Sequence, residues 1–259
     1  MAEDYDFRTQ RLFVEAELAA GARVDCSRDQ ANYLRNVLRL QAGAPILVFN
    51  GRDGEWQAQV ELQGRREVTL LVQRQTRLQQ GGPDLIYLFA PLKHARLDYM
   101  VQKATEMGAA RLAPVLTQHT VASRVNLERM RANAIEAAEQ CGIMHIPEVA
   151  EPRKLEQVLA DWDRGRQLIF CDEAAATADP IAALIRVPRG PLAVLIGPEG
   201  GFAPHERASL LDRPFVTSIA LGPRIMRADT AAVAALALVN AVLGDWRGGD
   251  LPANQAKGL

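Results

Sequence analysis

Two segments late in the chain carry residue types that could do chemistry: LIGPEGGF at residues 195–202 and LGPRIMRADT at residues 221–230. Three glycines in the first segment let a ligand approach the main chain closely, and Glu199 is its only carboxylate. Each segment follows an apolar, strand-like run and contains Gly-Pro near a charged side chain. Two such loops side by side can enclose a polar heterocycle such as adenine, whereas a tight strand-to-helix turn is the alternative for the first segment taken alone.

Neither loop matches a common nucleotide-binding motif. The first lacks the G-x-G-x-x-G spacing of a dinucleotide fingerprint and the Gly-Lys-Ser/Thr ending of a Walker loop. No G-x-S-x-G segment or cysteine–histidine pairing indicates a nucleophile. The three cysteines are widely spaced and the four histidines are scattered, so neither set matches a metal site. We therefore expect no metal, and we expect thiols that fill apolar space in a reducing compartment.

The composition is that of a folded globular protein. The chain has 259 residues, of which 48% are hydrophobic, and this is enough for a sizeable core. No apolar run is long enough to span a membrane, and the start, MAEDYDFRTQRLF, is acidic where a secretory signal would be basic and then apolar. We therefore expect a cytoplasmic protein. The net charge of -1 does not decide for or against nucleic acid, because a neutral total can hide a basic face.

The N-terminal part is predicted to be a small β-barrel or sheet over residues 1–76, followed by a linker at residues 77–83. Short apolar or alternating runs (PILVFN, EWQAQV and EVTLLV) are separated by turn residues, which is typical of strands. From Ser27, a Ser-x-x-Gln capping box predicts one short helix that places Leu34, Val37 and Leu38 on one face.

Beyond the linker, an α/β domain is predicted over residues 84–247, and residues 248–259 form a frayed tail. Five strand-like runs (LIYLFA, RLAPVL, QLIFCD, LAVLIG and VTSIAL) alternate with helical patterns. This order predicts a mostly parallel sheet with helices on both faces. Ligands in such folds bind at the carboxyl ends of the strands, where both glycine-containing loops occur. The predicted helices cover residues 95–107, 127–141, 204–212 and 230–243.

Several charged residues have both a functional and an ordinary interpretation. Residues 93–131 contain seven Lys or Arg and three acidic residues, and this excess of positive charge predicts either a basic patch or a solvated helix face. Any single arginine near the N-terminus is more often a surface residue than a phosphate ligand, and Arg227 fits a salt bridge as well as a functional role. Asp229 and Thr230 are expected to cap the last helix.

Taken together, these segments resemble the RsmE family, SPOUT-superfamily methyltransferases that methylate N3 of a uridine in 16S ribosomal RNA. The combination of LIGPEGGF with LGPRIMRADTA about twenty residues later is highly specific. The matching pieces recur in family order across nearly the whole chain: RLFV, LRNVLRLQAGAPILVFNGRDGEW, PLKHARLDYMVQKATEMGAARLAPV, AIEAAEQCG, LIGPEGGF and LGPRIMRADTAAVAAL.

The resemblance implies a PUA-like RNA-binding barrel, an α/β SPOUT domain with a deep trefoil knot, S-adenosylmethionine bound in the knot, and a homodimer that acts on 16S rRNA within the small ribosomal subunit. The knot is implied by the resemblance alone, because chain connections do not ordinarily thread loops. The cofactor-binding residues that it implies are Leu195, Ile196, Gly197, Glu199, Gly201, Leu221, Gly222, Ile225, Met226, Thr230 and Ala231. The RNA-binding residues that it implies are Arg11, Arg35, Lys93, Arg96, Gln140 and Arg227.

The chemistry implied by the resemblance requires the N3–H proton of uracil to leave before or during methyl transfer. Glu199 is predicted either to accept this proton or to hydrogen-bond the cofactor or the base, and Arg11 to stabilise negative charge at O2 or O4. The alternatives are a SPOUT methyltransferase for another RNA site and a non-catalytic RNA-binding assembly factor. The sequence departs from the family pattern at Gln118 and His119, where Glu-Arg is more usual, at Ile143-Met144, and at Ala203.

Overall fold

The computed structural model describes residues 8–64, 66–93, 95–122, 124–175 and 179–246. The chain divides into two compact units, of which the first comprises Met1–Gly81 and Ala138–Ile146 and the second comprises the remainder. The first division, between Gly81 and Gly82, falls within the linker expected at residues 77–83. The return of residues 138–146 to the first unit was not predicted, because no local pattern reveals which unit a helix end will join. The tail predicted at residues 248–259 lies outside the described residues.

The first unit is built on a β-sheet in which, over the described residues, five strands follow the order β1-β3-β4-β5-β2. Strands β1 and β3 are parallel and the other neighbours are antiparallel. The side chains of Ile46, Val48, Ala58, Val60 and Leu70 form the centre of its core. The strands are β1 (Arg11–Phe13), β2 (Arg23–Asp25), β3 (Pro45–Phe49), β4 (Glu55–Gln63) and β5 (Glu67–Arg77).

The capping box predicted at Ser27 is confirmed. Helix α1 (Arg28–Asn32) begins with Gln30 N donating to Ser27 Oγ at 3.2 Å and Ser27 N donating to Gln30 Oε1 at 2.9 Å. A π-helical turn (Tyr33–Val37) follows directly. Because this turn is wider than an α-helical one, Leu34 is fully buried while Val37 is 62% exposed. The prediction that Leu34, Val37 and Leu38 lie on one helical face is therefore wrong for Val37.

The second unit contains a parallel sheet, and the predicted α/β class is confirmed. Within the described residues its strand order is β12-β10-β11-β6-β7-β8, with β9 paired to β7, and every recorded pair is parallel. The strands are β6 (Leu85–Phe89), β7 (Arg111–Leu116), β8 (Glu148–Val149), β9 (Arg153–Lys154), β10 (Gln167–Cys171), β11 (Leu192–Ile196) and β12 (Val216–Ile219).

Helices cover both faces of this sheet. The four predicted helices correspond to α2, α3, α6 and α7, whereas α4 and α5 were missed because six residues are too few to display a 3.6-residue period. The helices are α2 (Ala95–Glu106), α3 (Leu127–Cys141), α4 (Leu155–Ala160), α5 (Pro180–Ile185), α6 (Pro204–Leu211) and α7 (Ala228–Val242). None of the described helices has the length and apolar character needed to cross a membrane.

Strand alternation divides the core of the second unit between the two faces. Val194 and Ile196 of β11 pack in the cluster that includes α2 and α7, whereas Ala193 and Leu195 pack in the cluster that includes α4 and α6. All five residues of β11 are buried, as expected for the central strand of a parallel sheet. The trefoil knot implied by the resemblance stays a prediction.

Helix α7 begins two residues earlier than predicted. Arg227, in extended conformation, occupies the N-cap and makes no side-chain capping bond. Asp229 lies inside the first turn, where its Oδ1 accepts from Thr230 N at 2.9 Å. The predicted cap at Asp229 and Thr230 is therefore wrong, although an acidic residue in the first turn still interacts favourably with the positive end of the helix dipole.

Candidate active site

The carboxyl ends of β10, β11 and β12 open onto a cavity of about 350 Å³ in the second unit. Parallel strands end at the same edge of a sheet, so the segments that follow them are brought together there. The two glycine-containing loops picked out in the sequence face this one cavity. The lining comprises residues 171–174, 196–202, 219 and 221–226 together with Arg207, Ala228 and Ala231.

Most residues predicted to bind the cofactor line this cavity. Leu195 and Thr230 do not: Leu195 is buried in the core on the opposite face from Ile196, because successive strand residues alternate, and Thr230 is exposed in the first turn of α7. The predicted residues found in the lining are Ile196, Gly197, Glu199, Gly201, Leu221, Gly222, Ile225, Met226 and Ala231.

The shape of the loop after β11 depends on glycine at two positions. A Cβ atom on Gly197 would lie 2.4 Å from Cε2 of Phe202, whose ring packs edge-on against Phe170 at a centroid distance of 5.0 Å. Gly201 has a φ of +69°, and its N–H donates to Pro198 O at 2.9 Å, closing a tight turn. The main chain of this loop can therefore face a ligand without side chains in the way.

The lining of the cavity contains apolar, acidic and basic side chains, the basic ones being Arg207 and Arg224. Apolar side chains come from β11, from the end of β12 and from α7, whereas Asp172, Glu173 and Glu199 are acidic. Asp172 is buried, and Arg207 of α6 donates to its Oδ2 from Nε at 3.0 Å, which raises the pKa of Arg207 above its ordinary value. Glu173 is exposed at the end of β10. Sequence reasoning missed Asp172 and Glu173, although the strand-end rule applied to QLIFCD would have found them.

Glu199 is held by an arginine from another element. Arg96, in the first turn of α2, places Nη1 at 2.6 Å from Oε1 of Glu199. The two side chains are 41% and 45% exposed, so the ion pair lies in a solvent-accessible region and contributes about 0–1 kcal/mol to stability. The structure thus joins a residue predicted for catalysis to one predicted for RNA.

Arg11 is buried within the first unit. Its Nε donates to Glu55 Oε2 at 2.7 Å, and its two Nη atoms donate to the carbonyls of Ala138, Glu139 and Ile143. The side chain is 4% exposed, and Cζ lies 4.3 Å from the centroid of the Phe49 ring. An arginine with these partners has almost no accessible surface with which to contact a base or a phosphate. We therefore correct its predicted role in catalysis and RNA binding: Arg11 holds the end of α3 within the first unit.

Glu55 completes this buried network, which we call the Arg11–Glu55 network. Its carboxylate is fully buried and also accepts from Arg77 Nη2 at 2.6 Å. Burial opposes ionisation, but the bonds from Arg77 and Arg11 prevail and lower the pKa of Glu55 below its ordinary value. Arg77 also donates to the carbonyl of Gly142, so both arginines fasten the segment 138–146.

The other predicted RNA contacts are accessible to different degrees. Gln140 in the first unit is exposed, whereas Arg35 is half-buried and donates from Nη2 to Gly64 O at 2.9 Å. In the second unit, Lys93 and Arg227 are exposed. At the departure from the family pattern, Met144 is buried, so the position holds a core residue in place of a basic one.

The side chains near the cavity include a thiol, and its environment determines its reactivity. Among the residues that the structure describes, no three His, Cys, Asp or Glu side chains form a group that could hold a metal ion. Cys171 lines the cavity, but burial raises the pKa of its thiol to about 12. A thiol with that pKa is protonated at neutral pH and is a poor nucleophile.

Comparison with known proteins identifies the two units. A family profile described as an RNA methyltransferase domain matches residues 80–240, and one described as an RNA methyltransferase PUA domain matches residues 27–73. The parallel α/β unit with its strand-end cavity and the accompanying β unit therefore define a PUA-containing RNA methyltransferase.

Individual relatives narrow this class. Ribosomal RNA small subunit methyltransferase E of Synechocystis sp. is 31% identical over 239 residues, covering 90% of this chain and 78% of the relative, and that of Rickettsia conorii is 27% identical, covering 88% and 94%. A putative methyltransferase of Legionella pneumophila, solved with bound S-adenosylmethionine, is 28% identical with a TM-score of 0.80, covering 92% of this chain and 99% of that one. The chain belongs to the ribosomal RNA small subunit methyltransferase E (RsmE) family, and its chemistry is methyl transfer.

Proposed function

We propose that this protein methylates N3 of a uridine in 16S rRNA of the small ribosomal subunit with S-adenosylmethionine as the methyl donor. The observation that supports the proposal most strongly is the convergence of both glycine-containing loops on one cavity, in a chain that matches an RNA methyltransferase domain profile and an RNA methyltransferase PUA domain profile. The same proposal includes a cytoplasmic homodimer that uses no metal.

The donor groups around the cavity fit S-adenosylmethionine. Apolar side chains such as Ile196, Leu221 and Met226 would contact the adenine, and the main chain after β11 would supply hydrogen-bonding groups. Glu173 and Glu199 would face the positive charges of the methionine part. When bound, S-adenosylmethionine supplies an electrophilic methyl group.

This chain contributes to the reaction in two ways: it aligns N3 with the methyl group, and it accepts or holds the N3 proton. Holding N3 in line with the methyl group can lower the barrier by several kcal/mol. Glu199 lies in the cavity lining with Arg96 at 2.6 Å, and its carboxylate can accept the N3 proton or hydrogen-bond the base. Arg96 takes the role that the sequence suggested for Arg11, because its exposed guanidinium can stabilise negative charge at O2 or O4.

Substrate RNA must present an unpaired uridine, since N3 lies on the pairing edge of the base. Exposed Lys93 and Arg227 and half-exposed Arg96 of the second unit would contact phosphates there, and Arg35 and Gln140 would contact RNA from the first unit. A folded ribosomal particle, more than free RNA, offers such a constrained single nucleotide.

The test is methylation of small ribosomal subunits from a strain lacking its own RsmE. With the purified protein and labelled S-adenosylmethionine, we expect 3-methyluridine at one 16S rRNA position by nucleoside mass spectrometry. Subunits from the parent strain, already modified, should accept no label. Label in another nucleoside would indicate a different RNA site, and a protein that binds neither S-adenosylmethionine nor its demethylated product in calorimetry would be an assembly factor.

A matched pair of glycine variants links the activity to the cavity. Gly197→Ala places a methyl group against the Phe202 ring, an overpacking that typically costs about 1–3 kcal/mol, and the loop must shift to relieve it, so S-adenosylmethionine affinity should fall. Gly81→Ala is the control, because a Cβ there meets nothing within 4 Å. Equal S-adenosylmethionine affinity for the two variants would place the cofactor elsewhere.

A further inference from the structure

The turn after β7, residues 117–120, contacts both helix α6 and the loop after β11. Gln118 N donates to Oε1 of buried Glu206 at 2.9 Å, while Nδ1 of His119 lies 3.1 Å from Gly200 O and 3.2 Å from Gly201 O. The turn itself is closed by Thr117 N donating to Thr120 Oγ1 at 2.8 Å. The cavity-lining glycines thus have a partner from a distant part of the second unit.

The chemistry of the acceptors specifies the proton on His119. Carbonyl oxygens only accept hydrogen bonds, so Nδ1 must carry the hydrogen that it shares between the two carbonyls. The tautomer with its hydrogen on Nε2 would direct a lone pair at two oxygens and repel them. His119 therefore acts as a donor, either as the Nδ1–H tautomer or as the imidazolium.

Packing adds to the hydrogen bonds. A Cβ atom built on Gly200 would lie 3.4 Å from Cβ of His119, so the histidine side chain lies close to the main chain of that glycine. Glu199, one residue earlier, is held by Arg96. The loop after β11 is therefore restrained from two sides, and both restraints act on residues that line the cavity.

We propose that His119 is a positioning residue for methyl transfer: its Nδ1–H holds the carbonyls of Gly200 and Gly201 and thereby keeps the cofactor-binding loop in its binding shape. The inference rests on the proposed function for the identity of the ligand. His119 is exposed, so water can replace its hydrogen bond when the side chain is removed. Removal of His119 should therefore make the loop less ordered without changing the stability of the whole protein.

An isosteric pair of variants tests the donor. His119→Asn keeps an N–H near the position of Nδ1, whereas His119→Asp has the same shape but offers only oxygen acceptors to two carbonyls. We expect His119→Asn to bind S-adenosylmethionine like the wild type in calorimetry, and His119→Asp and His119→Ala to bind about 3- to 10-fold more weakly, as loss of one hydrogen bond implies. All three should melt at the wild-type temperature.

The control is His205→Asn, an exposed histidine of α6 outside the cavity lining, which should leave affinity unchanged. Equal affinity of the Asn and Asp variants at position 119, whether strong or weak, would overturn the role of the N–H donor. Failure of the proposed function is a separate outcome, since wild-type protein would then bind no S-adenosylmethionine or form no 3-methyluridine.

Discussion

Two of the arginine–glutamate pairs of this protein have the same chemistry and opposite settings. Arg11 and Glu55 in the first unit are 4% and 0% exposed and share further partners, whereas Arg96 and Glu199 in the second unit are about half exposed, and Glu199 lines the cavity. A buried charge must be paired to be tolerated, so the first pair is committed to the fold. An exposed pair can exchange its partner for a substrate at little cost, so the second pair is suited to chemistry.

The largest effect should come from breaking the buried pair. Arg11→Met removes the donor to Glu55 and to three carbonyls of the segment 138–146, and we expect a loss of about 3–5 kcal/mol in the unfolding free energy. Urea unfolding measures this loss, and hydrogen–deuterium exchange should locate it in β1–β5. If Arg11→Met were as stable as wild type, the assignment of Arg11 to the fold would be wrong.

A substitution in the exposed pair should change the rate of methyl transfer and not the stability of the protein. Glu199→Gln keeps the shape of the side chain but removes its ability to accept a proton, so we expect kcat to fall about 100-fold while the unfolding free energy stays unchanged. Glu61→Gln is the matched control, because Glu61 forms an exposed pair with Arg23 in the first unit. Full activity of Glu199→Gln across the pH range would remove Glu199 from the chemistry.

The next prediction concerns the stability that the buried pair loses at low pH. Arg77 and Arg11 hold the pKa of Glu55 below its ordinary value of 4.5 against the opposing effect of burial. The stabilisation from this carboxylate is therefore fully present above about pH 4.5 and is lost as the pH falls through the lower pKa of the folded state. Wild-type amides of β1–β5 should lose exchange protection in that acid range, while Glu55→Gln, already destabilised, should show a shallower pH dependence.

Much of this comparison could not be predicted from the sequence. The strands ending at LIG and IAL, and hence the cavity, follow from apolar runs and the strand-end rule, which depend on near neighbours. The burial of Arg11 depends on carbonyls 127 and more positions away, and the contact of His119 with Gly200 joins residues 81 positions apart. No local pattern encodes such pairings. From the sequence alone, Arg11 could not be distinguished from a surface arginine, and His119 was noted only as a difference from the family pattern.

The smallest effect on stability should come from Arg96. Arg96→Met removes an exposed ion pair and should change the unfolding free energy by about 0–1 kcal/mol, as should Arg23→Met in the first unit. The two variants should differ with RNA: if Arg96 contacts a phosphate, its loss lowers the slope of log affinity against log salt by about 1, whereas Arg23→Met leaves the slope unchanged. A filter-binding series with 16S rRNA over several salt concentrations measures both slopes. Equal slopes would show that Arg96 contacts Glu199 and not a phosphate of the RNA. A large loss of stability in Arg96→Met would show that exposure does not distinguish the two pairs.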